Sequence, residues 1–427
     1  ALADAVTVGL LYWFGKRVSD SRIVAAGAGL AWALSPMSVT FAIGGMETSV
    51  VILFLVGSFS AYVAGRSRLG AGLMALAVLT RPDALIAAGL LFADMALRPL
   101  LSREGGSFAG RLRRLPWIEG AIFCAILLPW ILFASTYFGS PLPQSVQAKV
   151  RAYNLPELAT LIRMIQHLAT PFFEHEIFGR FWPAVGFPLY LFLYLIGGLR
   201  MVRGASRTWP VALYPLVYVA VFSVANAPVF RWYLAPPLPA YFLGILLGLH
   251  AILAGLASRL GREQLGDWAL ALLVVTLLAF SLNDYVVHPD HGPDHPSPEM
   301  AWVKLELYYQ QAAALLEPHL QPGEVIAVGD IGAIGWFTNA PLLDTVGLVS
   351  PEVVPYYPLD PSQMVIVYAI SAEMIRDFQP DYLVTLEIYV RESVLRDPWF
   401  HESYTLIEEI DTSMYESHGM LIFKRRW

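Results

Sequence analysis

One isolated carboxylate, Glu47, follows two glycines in the segment Gly44–Thr48, between two long apolar runs. A carboxylate in that position could orient a substrate hydroxyl or assist a general base. An acid is also favoured at the N-terminus of a helix by the helix dipole, and Thr48 and Ser49 could help to cap that helix. The sequence leaves both interpretations open, and Glu47 is a candidate auxiliary catalytic residue.

A charged pair, Arg81 and Asp83, flanks Pro82 inside an otherwise apolar stretch. Proline disfavours helix at the residue before it and removes one backbone donor, so two brief helices are expected to meet there. Such a break could line a polar cavity and grip an anionic head group. The pair could equally neutralise itself while satisfying backbone groups released by the break. Arg81 and Asp83 are therefore candidate substrate-binding residues.

Gln144 and Lys149 belong to the segment Tyr137–Lys149, which follows an apolar run and contains two prolines and a glycine. This composition predicts a rigid, non-helical lip, with Lys149 and Arg151 supplying positive charge. One or two cations beside a membrane would bind a lipid phosphate. The alternative is a lysine that extends its ammonium group to the interface without a ligand.

A third cation, Arg231, stands beside Trp232 and Tyr233 in a short turn that two prolines follow. The guanidinium could pair with a phosphate, and the two rings could stack on a sugar. Trp and Tyr also anchor spans at the membrane interface, so that interpretation remains open. All three residues are candidates for substrate binding.

The other polar clusters favour plainer interpretations. His167, Glu174, His175 and Glu176 do not follow a zinc-binding spacing, so we interpret them as solvated loop charges and predict no metal site. The single cysteine, Cys124, lies in an apolar run and excludes a disulfide within the chain. No cofactor is expected from these motifs.

The composition divides the chain into two regions. Of the 427 residues, 56% are hydrophobic and 15% charged, with a mean hydropathy of +0.55, which is more apolar than a soluble protein. The apolar excess ends near residue 286. We predict a polytopic α-helical membrane module at 1–286 and a small α/β domain at 287–427. No basic stripe suggests a nucleic-acid partner.

About ten apolar runs could cross a bilayer, which requires roughly 20 residues per helix. The two runs around Pro82 are short and are expected to form a hairpin of brief helices. The predicted spans are Leu2–Gly15, Ile23–Ile43, Val50–Ala64, Leu69–Thr80, Ala84–Leu97, Trp117–Tyr137, Trp182–Leu199, Trp209–Ala227, Leu234–Ala257 and Trp268–Val286.

Five short basic loops predict the orientation of these spans. Positively charged loops face the cytoplasm, and the spans supply two crossings between each successive pair of basic loops. Glu47, Pro82, the segment 138–181 and Arg231 then all face outward. We predict a multi-pass plasma-membrane protein, with the lipid bilayer as partner and an extracytoplasmic C-terminal domain.

In the C-terminal region, strands alternate with helices, as is typical of an α/β layer domain. Gly329–Gly335 lacks the Walker lysine and the dinucleotide spacing, so we interpret it as a strand-to-helix turn capped by Asp330. The predicted elements are a helix at 299–317, a strand at 324–329, a loop at 330–337, a strand near 342–344, a helix near 372–378, a strand at 381–386 and a closing pair near 404–410 and 420–424.

Four segments, in order, resemble a known family: Gly44–Thr48, Leu79–Leu85, Tyr137–Lys149 and Gly329–Phe337. They resemble bacterial polytopic glycosyltransferases of the GT-C type, near the cell-wall arabinofuranosyltransferases and related polyprenyl-phosphate-sugar transferases. The resemblance covers nearly the whole chain. It implies inverting transfer of a sugar from a polyprenyl-phosphate donor to an acceptor glycan, lipid or protein on the outer face of the bacterial inner membrane.

The resemblance also implies roles for the candidate residues. In this chemistry a carboxylate deprotonates the acceptor hydroxyl, and cations hold the departing lipid phosphate. The principal catalytic Asp of the family lies in the first outer loop. Because this chain begins outside and enters a span at once, that loop is expected to precede Ala1. Glu47 is then auxiliary, and Arg81, Lys149 and Arg231 are the cations.

Two other classes of function remain open. A transporter or flippase for a lipid-linked sugar would contain inverted repeats and broken helices, and the sequence offers one broken hairpin. A non-catalytic membrane scaffold would bind a glycan or a protein through the acids and aromatic residues of its C-terminal domain.

Overall fold

The structure, a computed structural model, describes residues 1–101, 108–283, 285 and 301–427. Within these residues the chain folds into two compact units. The first unit comprises the described residues up to 141 and from 157 to 285. The second unit comprises residues 142–156 and 301–427.

The first unit is helical throughout its regular elements, because its long apolar runs satisfy their backbone groups within each helix. Its helices are α1 (Leu2–Ser19), α2 (Arg22–Ala33), α3 (Pro36–Ile43), α4 (Thr48–Val63), α5 (Ser67–Thr80), α6 (Leu85–Leu101), α7 (Phe108–Arg113), α8 (Trp117–Tyr137), α10 (Ala159–Leu168), α11 (His175–Phe178), α12 (Trp182–Gly204), α13 (Trp209–Ala225), α14 (Arg231–Leu234), α15 (Leu238–Arg259) and α16 (Glu263–Asn283).

Among the described residues, five helical stretches are long and apolar enough to cross a membrane, and a sixth is added if α2 and α3 form one bent span. Helices α4, α5 and α13 are apolar but shorter. Several apolar helices compatible with a membrane are therefore present, and the count of about ten spans stays a prediction.

One predicted span is broken in the structure. Ile23–Ile43 was expected to be continuous, but α2 and α3 meet at an angle of 50°. The break falls at Leu34 and Ser35, directly before Pro36. Proline disfavours helical backbone at the preceding residue, which accounts for the bend.

Helices α12 and α15 approach each other closely through glycines. A Cβ atom added at Gly197 would collide with the carbonyl oxygen of Gly244, and one at Gly248 would collide with that of Leu193. Small residues at such crossings let two backbones come into contact, as in packed membrane helices.

The second unit contains a five-stranded mixed sheet with the order β2-β1-β3-β5-β4. β1 pairs in parallel with both β2 and β3, whereas β5 pairs antiparallel with β3 and β4. Its elements are α9 (Gln144–Ala152), α17 (Ala301–Leu316), β1 (Ile326–Val328), α18 (Ile331–Thr338), β2 (Leu342–Asp344), α19 (Ala372–Phe378), β3 (Tyr382–Leu386), α20 (Pro398–Ser403), β4 (Tyr404–Ile410) and β5 (Met420–Arg425).

Helices cover both faces of this sheet, so β1 and β3 are buried along their whole length. Side chains alternate between the faces of a strand. Ile326 and Val328 accordingly pack with α17 and α18, whereas Ala327 packs in a second core that contains Ala152 of α9 and Phe400 of α20.

The predicted strands of the C-terminal region are confirmed, with two differences nearby. The expected loop at 330–337 is largely the helix α18, and the expected non-helical lip becomes helical from Gln144 onward. The prediction also placed residues 142–156 in the membrane module, whereas the structure groups them with the C-terminal region in the second unit.

Candidate functional site

The predicted helix break at Pro82 is confirmed and forms the base of the candidate site. α5 ends at Thr80, Arg81 is extended with φ −150° and ψ 126°, and Pro82 begins a short 3₁₀ turn that leads into α6. Extended backbone is the conformation that a following proline imposes. The break turns the Arg81 side chain into a buried position within the first unit.

Arg81 is shared between two carboxylates. Its Nε and Nη2 atoms each donate to Asp83 at 3.0 Å, and its Nη1 atom donates to Glu47 at 3.2 Å. The two-point contact with Asp83 is the stronger arrangement, because both hydrogen bonds are charge-assisted and parallel. The Tyr218 hydroxyl also donates to Asp83, at 2.8 Å.

The two carboxylates differ in their exposure to solvent. The side chain of Asp83 is 11% exposed, whereas that of Glu47 is 45% exposed. Glu47 occupies the N-cap position of α4, as one interpretation of the sequence expected. Its carboxylate nevertheless reaches Arg81 instead of capping the helix backbone.

Tyr233 completes the cluster on the other side of the guanidinium. The Cζ atom of Arg81 lies 4.7 Å from the centroid of the Tyr233 ring, which is within the range of a cation–π contact. Trp232 packs beside Tyr233 and stacks on Phe230, with ring centroids 4.8 Å apart. The structure thus brings together Glu47, Arg81, Asp83 and Tyr233, with Trp232 adjoining.

Arg231 belongs to a neighbouring group rather than to this cluster. It is exposed, and it lies close enough to His167 to influence that imidazole electrostatically. Burial lowers the pKa of His167 to about 4, and the charge of Arg231 acts in the same direction. His167 is therefore neutral at pH 7 and offers no charge to a ligand.

Gln144 and Lys149 lie on α9, in the second unit. The Gln144 amide is 3.5 Å from the carbonyl oxygen of Gly347, and Lys149 is half-buried. Their predicted role in holding a phosphate together with Arg81 stays a prediction.

The acids and histidines of the segment 167–176 were interpreted as solvated charges, which is wrong for the neutral His167 and also for Glu174. Its side chain is fully buried, and its Oε2 atom accepts from the backbone N–H of Phe172 at 3.0 Å. A tight turn folds the carboxylate back onto its own backbone, which a sequence pattern does not reveal. Within the described residues, no group of three potential ligands could hold a metal ion.

Sequence reasoning missed the buried acid Asp94 on α6. It accepts from the Tyr62 hydroxyl at 2.7 Å, from Trp209 Nε1 at 2.6 Å and from Arg98 Nε at 2.8 Å. The available signal was an acid inside a predicted span, four residues before an arginine on the same helix face. Because three donors satisfy its oxygens, Asp94 holds α4, α6 and α13 together and is not available for chemistry.

A comparison with known families matches residues 300–423 to a domain of unknown function (DUF8728). The match covers α17 and most of the sheet of the second unit, less than a third of the chain. No curated protein matches the chain.

Proposed function

We propose that this protein is a membrane glycosyltransferase that moves a sugar from a polyprenyl-phosphate donor to an acceptor hydroxyl. The observation that carries the proposal is the unequal sharing of Arg81 between the buried Asp83 and the half-exposed Glu47. Charged groups inside an apolar helical unit are costly and tend to be functional. The resemblance to GT-C enzymes, stated above, supplies the reaction class.

The geometry supports a specific division of roles. Asp83, held by Tyr218, fixes the orientation of the guanidinium through two hydrogen bonds. The Glu47 contact is single and more exposed, so an incoming phosphate oxygen can replace it at Nη1. Donor binding would then release the Glu47 carboxylate to accept a proton.

The proposed reaction follows from these roles. The acceptor hydroxyl passes its proton to a carboxylate, and its oxygen bonds to the anomeric carbon of the donor from the face opposite the phosphate. The bond between that carbon and the phosphate oxygen breaks, and the lipid phosphate keeps the electron pair. Arg81 stabilises the charge on the leaving phosphate. Glu47 has an auxiliary role in this reaction.

We also propose that the first unit spans the bacterial inner membrane with about ten helices and an extracytoplasmic C-terminal domain. The five long apolar helices, the bent pair α2–α3, the shorter α4, α5 and α13, and α1 together give ten. The 14 residues of α5 give a length of about 21 Å, shorter than the roughly 30 Å hydrocarbon core. A helix of that length that starts at one face of the core ends about 9 Å short of the other face, so the Pro82 break would lie just below the phosphate head groups.

The direct test measures turnover and donor binding separately, in a protein expressed with any sequence that precedes Ala1 in its gene. Glu47→Gln should lower the rate of transfer from a polyprenyl-phosphate sugar by on the order of 100-fold, because a proton acceptor is removed. The same variant should bind the donor at least as tightly as the wild type, because the amide competes less with phosphate for Arg81.

Arg98→Lys serves as the matched control, because Arg98 also pairs with a buried aspartate but lies at the far end of α6. Its turnover should remain close to that of the wild type. Unchanged turnover in Glu47→Gln, or weaker donor binding in that variant, would contradict the proposed roles.

A transporter for a lipid-linked sugar is the second candidate, and the bent pair α2–α3 favours it. Trp32 and Ser38 lie on opposite sides of that break, in α2 and α3. The buried Asp4 accepts from Trp32 Nε1 at 3.2 Å, and its carboxylate lies 3.5 Å from Ser38 Oγ. Broken helices with buried polar groups are features of transporters. Flux of a lipid-linked sugar in reconstituted vesicles, without any transfer product, would decide for this function.

A further inference from the structure

The second unit contains an open groove between α17 and α18. The groove has a volume of about 510 Å³, which falls in the range of ligand sites in proteins. Leu307 and Phe337 contribute apolar surface, and the indole of Trp336 is 82% exposed. Trp336 and the 52% exposed Phe337 adjoin on α18, and contiguous exposed apolar surface marks a ligand or partner site more often than a single exposed residue does.

The polar groups of this groove are acceptors or amides. Glu306 and Gln310 line the groove from α17, and Gly332 lies on its opposite wall, in α18. A Cβ atom at Gly332 would lie 3.6 Å from both carboxylate oxygens of Glu306. The absence of a side chain at Gly332 therefore keeps the Glu306 carboxylate accessible from the groove.

One wall of the groove, α18, begins at Ile331, shortly after the carboxyl end of β1, so the groove lies on the face of the sheet that α17 and α18 cover. Asp330 follows β1 directly and accepts from the Tyr309 hydroxyl of α17 at 3.3 Å. Burial and the nearby Asp330 carboxylate raise the pKa of Tyr389 in the loop after β3.

We propose that this groove binds a neutral glycan, with one sugar face stacked on Trp336 and sugar hydroxyls donating to Glu306 and Gln310. A sugar ring offers an apolar C–H face and a rim of hydroxyl donors. An exposed indole beside acceptor side chains matches both surfaces. If the transferase proposal is correct, this glycan is the acceptor, and that role alone rests on the proposed function.

The charge of the groove distinguishes a neutral glycan from other ligands. Glu306 lines the groove, and Asp330 lies within electrostatic reach of it. Two carboxylates repel phosphate, uronate and anionic lipid head groups. A bilayer surface would also suit an exposed Trp and Phe, but it would bring anionic lipids against these acids.

Binding can be tested on the full chain in nanodiscs, without a sugar donor. The probes are neutral glucan, mannan and arabinan hexasaccharides, with hexagalacturonate as the charged comparison. Calorimetry and saturation-transfer NMR measure their binding. Trp336→Ala should weaken binding of the neutral probe by at least about tenfold, the loss expected when an aromatic anchor is truncated. Gly332→Leu should weaken it similarly by filling the groove while leaving every binding group in place.

Trp427→Ala is the matched control, because Trp427 is also highly exposed in this unit but lies outside the groove. The proposal is overturned if none of the neutral probes binds, if Trp336→Ala binds like the wild type, or if hexagalacturonate binds equally well. Quenching of Trp336 fluorescence by brominated lipids, measured against Trp336→Phe, would overturn it in favour of a bilayer contact.

These outcomes are separable from those of the transferase proposal. The binding assay involves no turnover, so its failure leaves the roles of Glu47 and Arg81 untouched. Unchanged turnover in Glu47→Gln would likewise leave glycan binding by the groove standing.

Discussion

At the scale of single residues, the carboxylates of Glu47 and Asp330 have opposite electrostatic environments. Glu47 faces a guanidinium at 3.2 Å, whereas Asp330 faces a hydroxyl and lies near two other acids, Glu306 and Asp344. Burial, with those two acids, raises the pKa of Asp330 from 3.8 to about 6, and the Tyr309 hydrogen bond only partly offsets this. The ionised form of Asp330 is therefore disfavoured in the folded protein.

Asp330 should make the second unit less stable as the pH rises. Because its pKa is higher in the folded than in the unfolded chain, its contribution to the free energy of unfolding is complete below 3.8 and is lost as the pH rises through about 6. The upper limit of this contribution is roughly 3 kcal/mol, at about 1.4 kcal/mol per pKa unit. Asp330→Asn should therefore raise the melting temperature relative to the wild type at about pH 7.5, but little at about pH 3, where the carboxyl is protonated in both states.

The measurement is the difference in melting temperature between variant and wild type at the two pH values, in which the other titrating groups cancel. Asp411→Asn, at an exposed position of the same unit, is the control and should show no such dependence on pH. An equal effect of Asp330→Asn at both pH values would contradict the proposed burial of its charge.

At the scale of elements, the contact between α12 and α15 depends on the absence of side chains. If the first unit spans a membrane as proposed, apolar attraction contributes little between its helices, so close backbone packing has to supply the association. Gly197 and Gly248 provide that closeness, and an added methyl group has no space between the two backbones.

Gly248→Ala should destabilise the first unit by roughly 1–3 kcal/mol, the usual cost of overpacking. Gly255→Ala lies on the same helix with no heavy atom near its added Cβ, and it should be neutral or slightly stabilising because Ala favours helix more than Gly. Thermal unfolding in detergent, followed by size-exclusion chromatography, compares the two. Equal melting of the two variants would contradict the packing argument.

The sequence was a good guide to elements wherever the signal was local. The apolar runs became helices, Pro82 broke one of them, and the strands predicted at 381–386 and near 420–424 coincide with β3 and β5. The bend before Pro36 could have been predicted from the same proline rule that predicted the break at Pro82. The pairing of Arg81 with Glu47 could not have been predicted from the sequence, because it joins residues 34 apart through the packing of α4 on α5.

At the scale of the whole molecule, the second unit is assembled from two separate stretches of sequence. Residues 142–156 interrupt the first unit, and their helix α9 contributes to the core beneath the sheet. The backbone N–H of Asn154 also donates to the carbonyl oxygen of Val367 at 2.9 Å. Composition divides a chain by position, so it could not reveal that a short segment in one region packs with another.

Ala152→Asp should unfold the second unit or destabilise it by roughly 3–5 kcal/mol, because the new charge is buried without a partner. Ala152 is fully buried, whereas Val150 on the same helix is 56% exposed, so Val150→Asp is the control and should be tolerated. Limited proteolysis of the full chain, with detection of a C-terminal tag, reports the protection of residues 301–427. Equal protection of the two variants would show that α9 is not part of this core.

The discontinuity of the second unit has a consequence for biosynthesis. Ala152 leaves the ribosome about 230 residues before Leu383, one of the β3 residues in the same core, which at 5–20 residues per second is a delay of roughly 10–50 s. During that interval several apolar helices of the first unit emerge, and each offers α9 a wrong partner. Correct assembly therefore requires that any contact between α9 and these helices be reversible until β3 has been synthesised.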